Sequence, residues 1–137
     1  MKPTHIEHIG VAVKSIDEAR KFYEEVLGLT CYSVEEIAEQ KVKTAFFMVG
    51  QTKIELLEAT SLESPVAKFI ENKGQGIHHI AFAVTGLENW LTTTEGKGVQ
   101  LIDKTPRCGA EGLDIAFLHP KSTGGVLIEL CEDKNKK

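Results

Sequence analysis

Cysteine, long apolar runs and excess positive charge are all scarce in this sequence, and each absence excludes a class of protein. The sequence has three cysteines, Cys31, Cys108 and Cys131, which is an odd number, and no CxxC pair. We therefore expect no disulfide framework and a reducing, cytoplasmic location. No apolar run approaches the roughly 18 residues that a membrane span needs. The N-terminus also lacks an apolar signal-peptide core, so no secretion signal is expected.

The charge balance argues against a nucleic-acid partner. The formal net charge is −4 and the pI is about 5.7, and no basic face is evident. The lysines at positions 134, 136 and 137 predict a frayed, solvated tail. With 42% hydrophobic and 26% charged residues, the 137-residue chain has the composition of a soluble globular protein. We expect one domain over residues 1–137, or two small modules that share a core.

Two stretches of the chain are near copies of one another. Residues 6–13 (IEHIGVAV) and 77–84 (IHHIAFAV) align position by position, which places His8 on His79. Both alternate as strands do. Apart from Ile6 and Ile77, the residues that share a face with these histidines are small, which leaves room as a pocket wall does. These small residues are Gly10, Ala12, Ala81 and Ala83.

A second pair of copies carries a glutamate. Residues 53–58 (KIELLE) resemble 127–132 (LIELCE), with Glu55 aligned on Glu129 at nearly the same offset as the histidines. Both carboxylates have apolar neighbours, and a carboxylate withdrawn from water needs a partner because an unpaired buried charge is very costly. If the histidine faces turn inward, two imidazoles and two carboxylates converge. Such a set is typical of a divalent-metal site with open positions for a substrate.

Less specific interpretations exist for each residue alone. A single histidine in a strand is more often a surface or structural residue than a ligand. Glu55 beside Lys53 is compatible with a surface ion pair without function. The joint recurrence of both residue types, in the same order, favours the metal site. His78 lies on the opposite face from His79 and is expected to be structural or solvent-facing.

Helix and turn signals give both halves the order β-α-β-β-β. In the first half, Ser15 and Glu18 form a capping box at the start of the helix. The apolar stripe predicted for that helix is Ala19, Phe22, Tyr23 and Val26. The predicted modules are residues 5–58 and 77–132, joined by a linker helix at 64–73. The predicted elements are strand 5–13, helix 15–27, strands 29–34, 42–49 and 53–58, helix 65–72, strand 77–84, helix 86–95, and strands 99–103, 114–119 and 126–131, with a polar loop at 35–40.

The repeated strands, with residues 64–70 (SPVAKFI) and 117–130 (FLHPKSTGGVLIEL), resemble the vicinal oxygen chelate superfamily and, within it, the methylmalonyl-CoA epimerase family. The resemblance covers essentially the whole chain. It implies an α+β fold in which two tandem βαβββ modules form a U-shaped, mixed eight-stranded sheet around one metal ion. The ligands it implies are His8, Glu55, His79 and Glu129, for Co²⁺, Mn²⁺, Ni²⁺ or Zn²⁺. Some members have Gln at the position of Glu55.

The resemblance also implies an isomerase reaction, the epimerisation of (2R)- and (2S)-methylmalonyl-CoA. The C2 proton is removed and returned through a metal-stabilised enolate, with Glu129 and Glu55 as the catalytic acid/bases. Lys121 is a candidate contact for a carboxylate or phosphate of the acyl-CoA. Some relatives have a glutamate acid/base in the third strand, where this sequence has Thr44. A homodimer is expected, since members of this fold commonly dimerise.

Two other functions fit the same residues. A lactoylglutathione lyase of the glyoxalase I type, or a related thiol-adduct isomerase, would use the same ligands. Glyoxalase I usually has an Asp-Pro-Asp-Gly-like turn before its final glutamate strand, and that turn is absent here. A non-catalytic, drug-binding member of the superfamily would not need the histidine and glutamate pairs.

Overall fold

The computed structural model describes residues 1–135, so Lys136 and Lys137 of the predicted tail lie outside the described residues. The strands are β1 (His5–Ala12), β2 (Cys31–Ile37), β3 (Val42–Val49), β4 (Thr52–Ala59), β5 (Gly76–Ala83), β6 (Arg107–Cys108), β7 (Asp114–Leu118) and β8 (Ile128–Glu132). The α-helices are α1 (Ile16–Lys21), α2 (Pro65–Lys73) and α3 (Leu87–Gly96). The described residues divide into two compact units, His8–His78, and Met1–Glu7 together with residues 79–135. None of the described helices is long and apolar enough to cross a membrane.

In the first unit the strands are ordered β2-β3-β4-β1, with β1 parallel to β4 and the other pairs antiparallel. Because side chains alternate along each strand, the two faces of this ladder have different partners. One face packs under α1 and the other under α2. The buried residues of the α1 side are Val13, Ile16, Ala45, Phe47 and Leu56. Those of the α2 side are Ala12, Val42, Leu57 and Val66.

Helix α1 begins as predicted and then changes pitch. The Ser15 hydroxyl accepts the Glu18 N–H at 3.2 Å, and the helix continues from Phe22 to Val26 as a π-helical turn. An i→i+5 turn adds a residue to each turn and so rotates the following side chains. Phe22 and Val26, two residues of the predicted apolar stripe, are 52% and 69% exposed and do not join the core. Tyr23 does pack inward, with its ring 5.5 Å from that of Phe47.

The polar loop predicted at 35–40 is wrong in its first half. Glu35 and Ile37 continue β2 and pair with Thr44 and Val42 of β3, and only residues 38–40 form a turn. Charged side chains are tolerated here because β2 is the outermost strand of its ladder and exposes one edge to solvent.

In the second unit the order is β5-β8-β7-β6, with β5 parallel to β8 and the other pairs antiparallel. Helix α3 buries Leu87 and Leu91 against this ladder. The first residues of the chain belong to the same unit, since the Thr4 N–H donates to the Ala83 carbonyl at 2.9 Å. Strand β1 is therefore shared: its first three residues lie in this unit and the rest in the other.

The strand predicted at 99–103 is not formed. This stretch has an isolated bridge between Leu101 and Leu118. Its hydrogen bonds run from the Ile102 N–H to the Phe117 carbonyl and from the His119 N–H to the Gln100 carbonyl, at 2.9 Å each. The Asp103 side chain takes the place of a strand neighbour, because its Oδ2 accepts the Phe117 N–H at 2.9 Å. The regular edge strand of this ladder is instead β6, which pairs with the first half of β7.

Lys134 is not part of a frayed tail. Its Nζ lies 3.3 Å from Asp114 Oδ2 and 3.4 Å from Glu88 Oε1. These two carboxylates raise the pKa of the Lys134 ammonium, Asp114 more than Glu88. The residue therefore ties the end of β8 to β7 and α3, although each exposed ion pair stabilises the fold only slightly.

Candidate functional site

The first histidine and glutamate predicted as ligands form a buried pair. His8 lies on β1 and Glu55 on the parallel strand β4, and each residue is 4% exposed. The strand register pairs Glu55 with Gly10, two residues beyond His8 on the same face. This brings His8 Nδ1 to 3.2 Å from Glu55 Oε2.

The second pair repeats this arrangement. His79 on β5 is 5% exposed and Glu129 on β8 is 3% exposed. Glu129 is paired with Ala81, again two residues beyond the histidine on a parallel strand. His79 Nε2 lies 3.3 Å from Glu129 Oε1. The duplication seen in the sequence is therefore a duplication of register, although a different imidazole nitrogen faces the glutamate in each half.

Each glutamate has a phenylalanine as its partner on the neighbouring antiparallel strand. The sequence analysis did not identify these two aromatic residues. Phe46 of β3 is directly opposite Glu55, and Phe117 of β7 is directly opposite Glu129. Both phenylalanines are largely buried, and the Phe117 ring packs edge-on against His79 with the centroids 5.6 Å apart. The two phenylalanines are separated in the sequence by the same offset as the two histidines, and this signal could have revealed them.

The donor atoms of both pairs suit a divalent metal ion. Two ligands each about 2.1 Å from one ion are separated by roughly 3.0–3.4 Å in octahedral or tetrahedral coordination. The distances of 3.2 Å and 3.3 Å within the pairs fall in this range. Imidazole nitrogen with carboxylate oxygen is a donor set used for Zn²⁺, Mn²⁺, Ni²⁺ and Co²⁺. A buried carboxylate with a histidine partner is also far less costly than a buried carboxylate alone.

Thr44, which the family resemblance aligns with a glutamate of some members, is a buried residue of β3. It is 1% exposed and pairs with Leu57 of β4, which places it on the same face as Glu55. A hydroxyl has no carboxylate chemistry, so this position cannot supply an acid/base. Helix α2 covers this end of the face, since Leu57 packs against Val66 in one cluster.

His78 has a packing role, in agreement with its position on the strand face opposite His79. Its ring lies 5.0 Å from that of Phe69 on α2, in an edge-on arrangement. Burial lowers the pKa of His78 to about 4, and the nearby charge of Lys73 adds to the effect. The imidazole is therefore neutral at pH 7 and contributes apolar contact to the first unit.

Lys121 lies in the segment that joins β7 to β8. It occupies an exposed turn, Pro120–Ser122, and its backbone N–H donates to His119 Nδ1 at 3.0 Å. Within residues 1–135, the structure gives its ammonium group no ion pair with Glu129. Its predicted contact with the substrate stays a prediction.

A further glutamate recurs in both halves, three residues after each candidate ligand. Glu58 Oε1 accepts the Ile16 N–H at the start of α1 at 2.7 Å. Glu132 accepts the Gly86 and Leu87 N–H groups at the start of α3, at 2.7 Å and 2.9 Å. Each last strand thus carries one glutamate that faces the histidine and one that holds the helix of the same module.

Comparison with known proteins gives a consistent set of relatives. Residues 7–117 match the model of the Glyoxalase/Bleomycin resistance protein/Dioxygenase superfamily. The uncharacterized protein YqjC of Bacillus subtilis is 53% identical, over 94% of this chain and 92% of that protein. The mitochondrial methylmalonyl-CoA epimerase of Dictyostelium discoideum is 37% identical, over 93% of this chain and 77% of that protein.

The structural comparison agrees with the sequence comparison. A solved methylmalonyl-CoA epimerase in complex with methylmalonyl-CoA and NH4+ has a TM-score of 0.93 and 34% identity, over 97% of this chain and 96% of that one. The fold class expected from the sequence is confirmed: both halves have the βαβββ order, and the strands are of mixed direction.

Proposed function

Since the chain belongs to the Glyoxalase/Bleomycin resistance protein/Dioxygenase superfamily, we propose that it is a metal-dependent epimerase acting on (2R)- and (2S)-methylmalonyl-CoA. Its fold is the vicinal oxygen chelate fold. The observation that carries the proposal is the buried His–Glu pair, present in each half with the same register. Relatives of 35% and 37% identity that carry the epimerase name support the choice of reaction.

The proposed metal ligands are the four buried side chains His8, Glu55, His79 and Glu129. Each pair has a neutral donor and an anionic donor, so the four together would offset the charge of one divalent ion. When bound, the ion would supply Lewis-acid stabilisation of negative charge that develops on a thioester oxygen. Both pairs are removed from water, which strengthens electrostatic interactions in the site. Co²⁺, Mn²⁺, Ni²⁺ and Zn²⁺ all suit these ligands.

The chemistry that the chain's own residues perform is proton transfer. In one direction, Glu129 takes the proton from C2: the C–H bond breaks, an O–H bond forms on the carboxylate, and the electron pair moves toward the thioester oxygen. A second group returns a proton to the opposite face of the resulting enolate, and Glu55 is the candidate. Thr44 cannot replace it, for the reason given above. The phenyl rings of Phe46 and Phe117 would exclude water beside the two carboxylates.

We also propose a homodimer and a cytoplasmic location. Strand β2 leaves one edge unpaired in its own ladder and exposes Tyr32 and Val34 at 44% and 43%, which favours a covering partner. The odd number of cysteines and the lack of a CxxC pair are the features that support a reducing compartment. Sedimentation at micromolar concentration should give twice the mass of one chain, and a monomer at all concentrations would contradict the dimer.

Deuterium exchange is the direct test of the reaction. Methylmalonyl-CoA in D₂O should gain deuterium at C2 faster with the metal-loaded protein than with buffer, and removal of the metal by a chelator should abolish the difference. The control substrate is the hemithioacetal of methylglyoxal and glutathione, which a glyoxalase-type enzyme would convert. Protein with about one divalent ion per chain that exchanges no acyl-CoA would overturn the epimerase. Conversion of the hemithioacetal would then assign it to the glyoxalase reaction.

A further inference from the structure

Arg107 is a cation on the same face of the second unit as Glu129. It is one of the two residues of β6 and pairs with Ile115 of β7. Ile115 in turn pairs with Cys131 of β8, two residues beyond Glu129. Cross-strand partners lie on one face of a ladder, so Arg107 and Glu129 share a face. The proposed reaction does not use this guanidinium.

Two neighbours fix the position of the Arg107 side chain. Its Cζ lies 5.5 Å from the centre of the Phe117 ring, the same ring that packs edge-on against His79. Its Nε lies 3.3 Å from Asp103 Oδ1, while Asp103 Oδ2 accepts the backbone N–H of Phe117. The Asp103 carboxylate therefore contacts both Arg107 and Phe117, and Phe117 in turn packs against His79.

The arrangement leaves binding capacity that its structural contacts do not use. The Arg107 side chain is 40% exposed, whereas that of Asp103 is only 17% exposed. A guanidinium has five N–H donors and binds carboxylate or phosphate oxygens in a bidentate manner, and the ion pair with Asp103 is made through Nε. The cation–π contact with Phe117 restricts the guanidinium before a ligand arrives.

The other half of the chain shows that the module does not require an arginine here. The equivalent position is Glu35, which pairs with Thr44 as Arg107 pairs with Ile115. Thr44 and Ile115 are equivalent because the same offset separates them as separates His8 from His79 (115 − 44 = 79 − 8). The same place in the scaffold therefore carries opposite charges in the two halves. A residue needed only to complete the edge strand would not have to be a cation.

We propose that Arg107 is a substrate-binding residue, which recognises an anionic group of the thioester substrate, and that Asp103 and Phe117 position it. This inference rests on the proposed function, because it takes acyl-CoA as the substrate. The anionic group is either the free carboxylate of the malonyl group or a phosphate of CoA. Both have the oxygen geometry that a guanidinium recognises.

The test compares Arg107→Gln and Arg107→Lys with Arg20→Gln, a matched loss of the only other arginine, which lies on α1 and pairs with Glu24. Calorimetry measures the Kd of malonyl-CoA, and exchange in D₂O gives KM and kcat. Arg107→Gln should raise Kd and KM by about 10–100-fold, as loss of a charge-assisted contact predicts. Arg107→Lys should fall between it and the wild type. Metal content should stay at the wild-type level, and Arg20→Gln should bind like the wild type.

Two further ligands distinguish the sources of the anion. Methylmalonyl-pantetheine has the carboxylate but no phosphate, and propionyl-CoA has the phosphates but no free carboxylate. If Arg107 binds the carboxylate, Arg107→Gln should weaken the binding of methylmalonyl-pantetheine and leave that of propionyl-CoA unchanged. If Arg107 binds a phosphate, it should weaken the binding of propionyl-CoA and leave that of methylmalonyl-pantetheine unchanged. Asp103→Asn keeps an oxygen for the Phe117 N–H. It should raise the Kd of the ligand that Arg107→Gln affects, but by less than Arg107→Gln does.

Unchanged binding of malonyl-CoA, methylmalonyl-pantetheine and propionyl-CoA by both Arg107 variants would overturn the inference while leaving the epimerase intact. Wild-type protein that neither binds malonyl-CoA nor exchanges methylmalonyl-CoA would overturn both. The two failures are therefore distinguishable.

Discussion

The two halves of the chain have the same residue types around the candidate ligands and different residue types in the neighbouring row of the sheet. Both halves place a small residue opposite the candidate ligand glutamate, and both place a phenylalanine on its other side. Both also hold the start of their helix with a second glutamate from the last strand. The repeated positions are thus those that build a His–Glu pair and anchor the helix that packs on the opposite face.

The halves differ at the next row of residues. Thr44 in one half corresponds to Ile115 in the other, and Glu35 corresponds to Arg107. An epimerase needs an acid/base on each side of C2, because a proton leaves from one face of C2 and returns to the other. It also needs inequivalent surroundings, because the thioester and the carboxylate of the substrate must each have one place. Under the proposed function, the repeated rows serve the first need and the divergent row serves the second.

The largest expected effect comes from the two glutamates. Glu129→Gln keeps the shape and an oxygen donor but removes the base, so C2 exchange should fall by roughly 10²–10⁴-fold. Glu55→Gln should be milder, since Glu55 is the weaker candidate for an acid/base. Metal content should fall less than exchange in both variants, because three ligands remain.

Measurement of exchange and metal content on the same preparations separates the roles of these glutamates. Equal losses in the two variants would make the halves catalytically equivalent and contradict the stronger role of Glu129. Exchange that survives Glu129→Gln would assign the base to another residue.

The histidines provide the second test of equivalence. His8→Ala and His79→Ala should each weaken divalent-metal affinity by more than the about 10–100-fold that loss of an indirect, ligand-orienting contact costs. The two losses should be similar, because the His–Glu distances in the two halves are 3.2 Å and 3.3 Å. His78→Ala is the matched control and should keep full metal content. Metal titration of the apo proteins gives the affinities, and retention of the ion by either ligand variant would contradict a shared site.

What the sequence could predict follows from these repeats. The nearly constant offset between the two halves identifies equivalent strands, and alternation along a strand gives the face of each side chain. The sequence alone therefore predicts the two His–Glu pairs. It does not predict the π-helical turn after Lys21, because hydrophobic spacing does not report a local change of pitch. Nor does it predict the place of Arg107 and β6, since a two-residue strand has no periodicity and its place depends on pairing with β7.

The smallest effect concerns the helix-anchoring glutamates. Glu132→Ala removes the acceptor of two N–H groups at a helix start where the N-cap, Gly86, has no side chain. A loss of about 0.5–2 kcal/mol in the free energy of unfolding is expected for a lost cap, toward the lower end because the group is mostly solvent-screened. Glu58→Ala should cost less, because Ser15 still caps α1.

A change that removes this difference between the halves is the control. Ser15→Gly gives the first half the N-cap residue of the second. In that background, the free energy of unfolding lost through Glu58→Ala should come close to the loss caused by Glu132→Ala in the wild type. Urea denaturation at fixed metal concentration gives the free energies. A cost for Glu58→Ala as large as for Glu132→Ala would show that the hydroxyl of Ser15 contributes little.

The contribution of Glu132 should also depend on pH, in a direction that its contacts fix. The N–H groups of Leu87 and, next, Gly86 lower the pKa of the Glu132 carboxyl from its ordinary value of 4.5. A carboxyl whose pKa is lower in the folded state than in the unfolded state stabilises the fold fully above the unfolded value, and this stabilisation is lost as the pH falls through the folded value. The difference in free energy of unfolding between the wild type and Glu132→Gln should therefore be constant at neutral pH and shrink below about pH 4.5. Both proteins keep the same His–Glu pairs, so the titration of those groups cancels in the difference. A gap that stays constant down to about pH 3 would show that the charge on Glu132 does not stabilise α3.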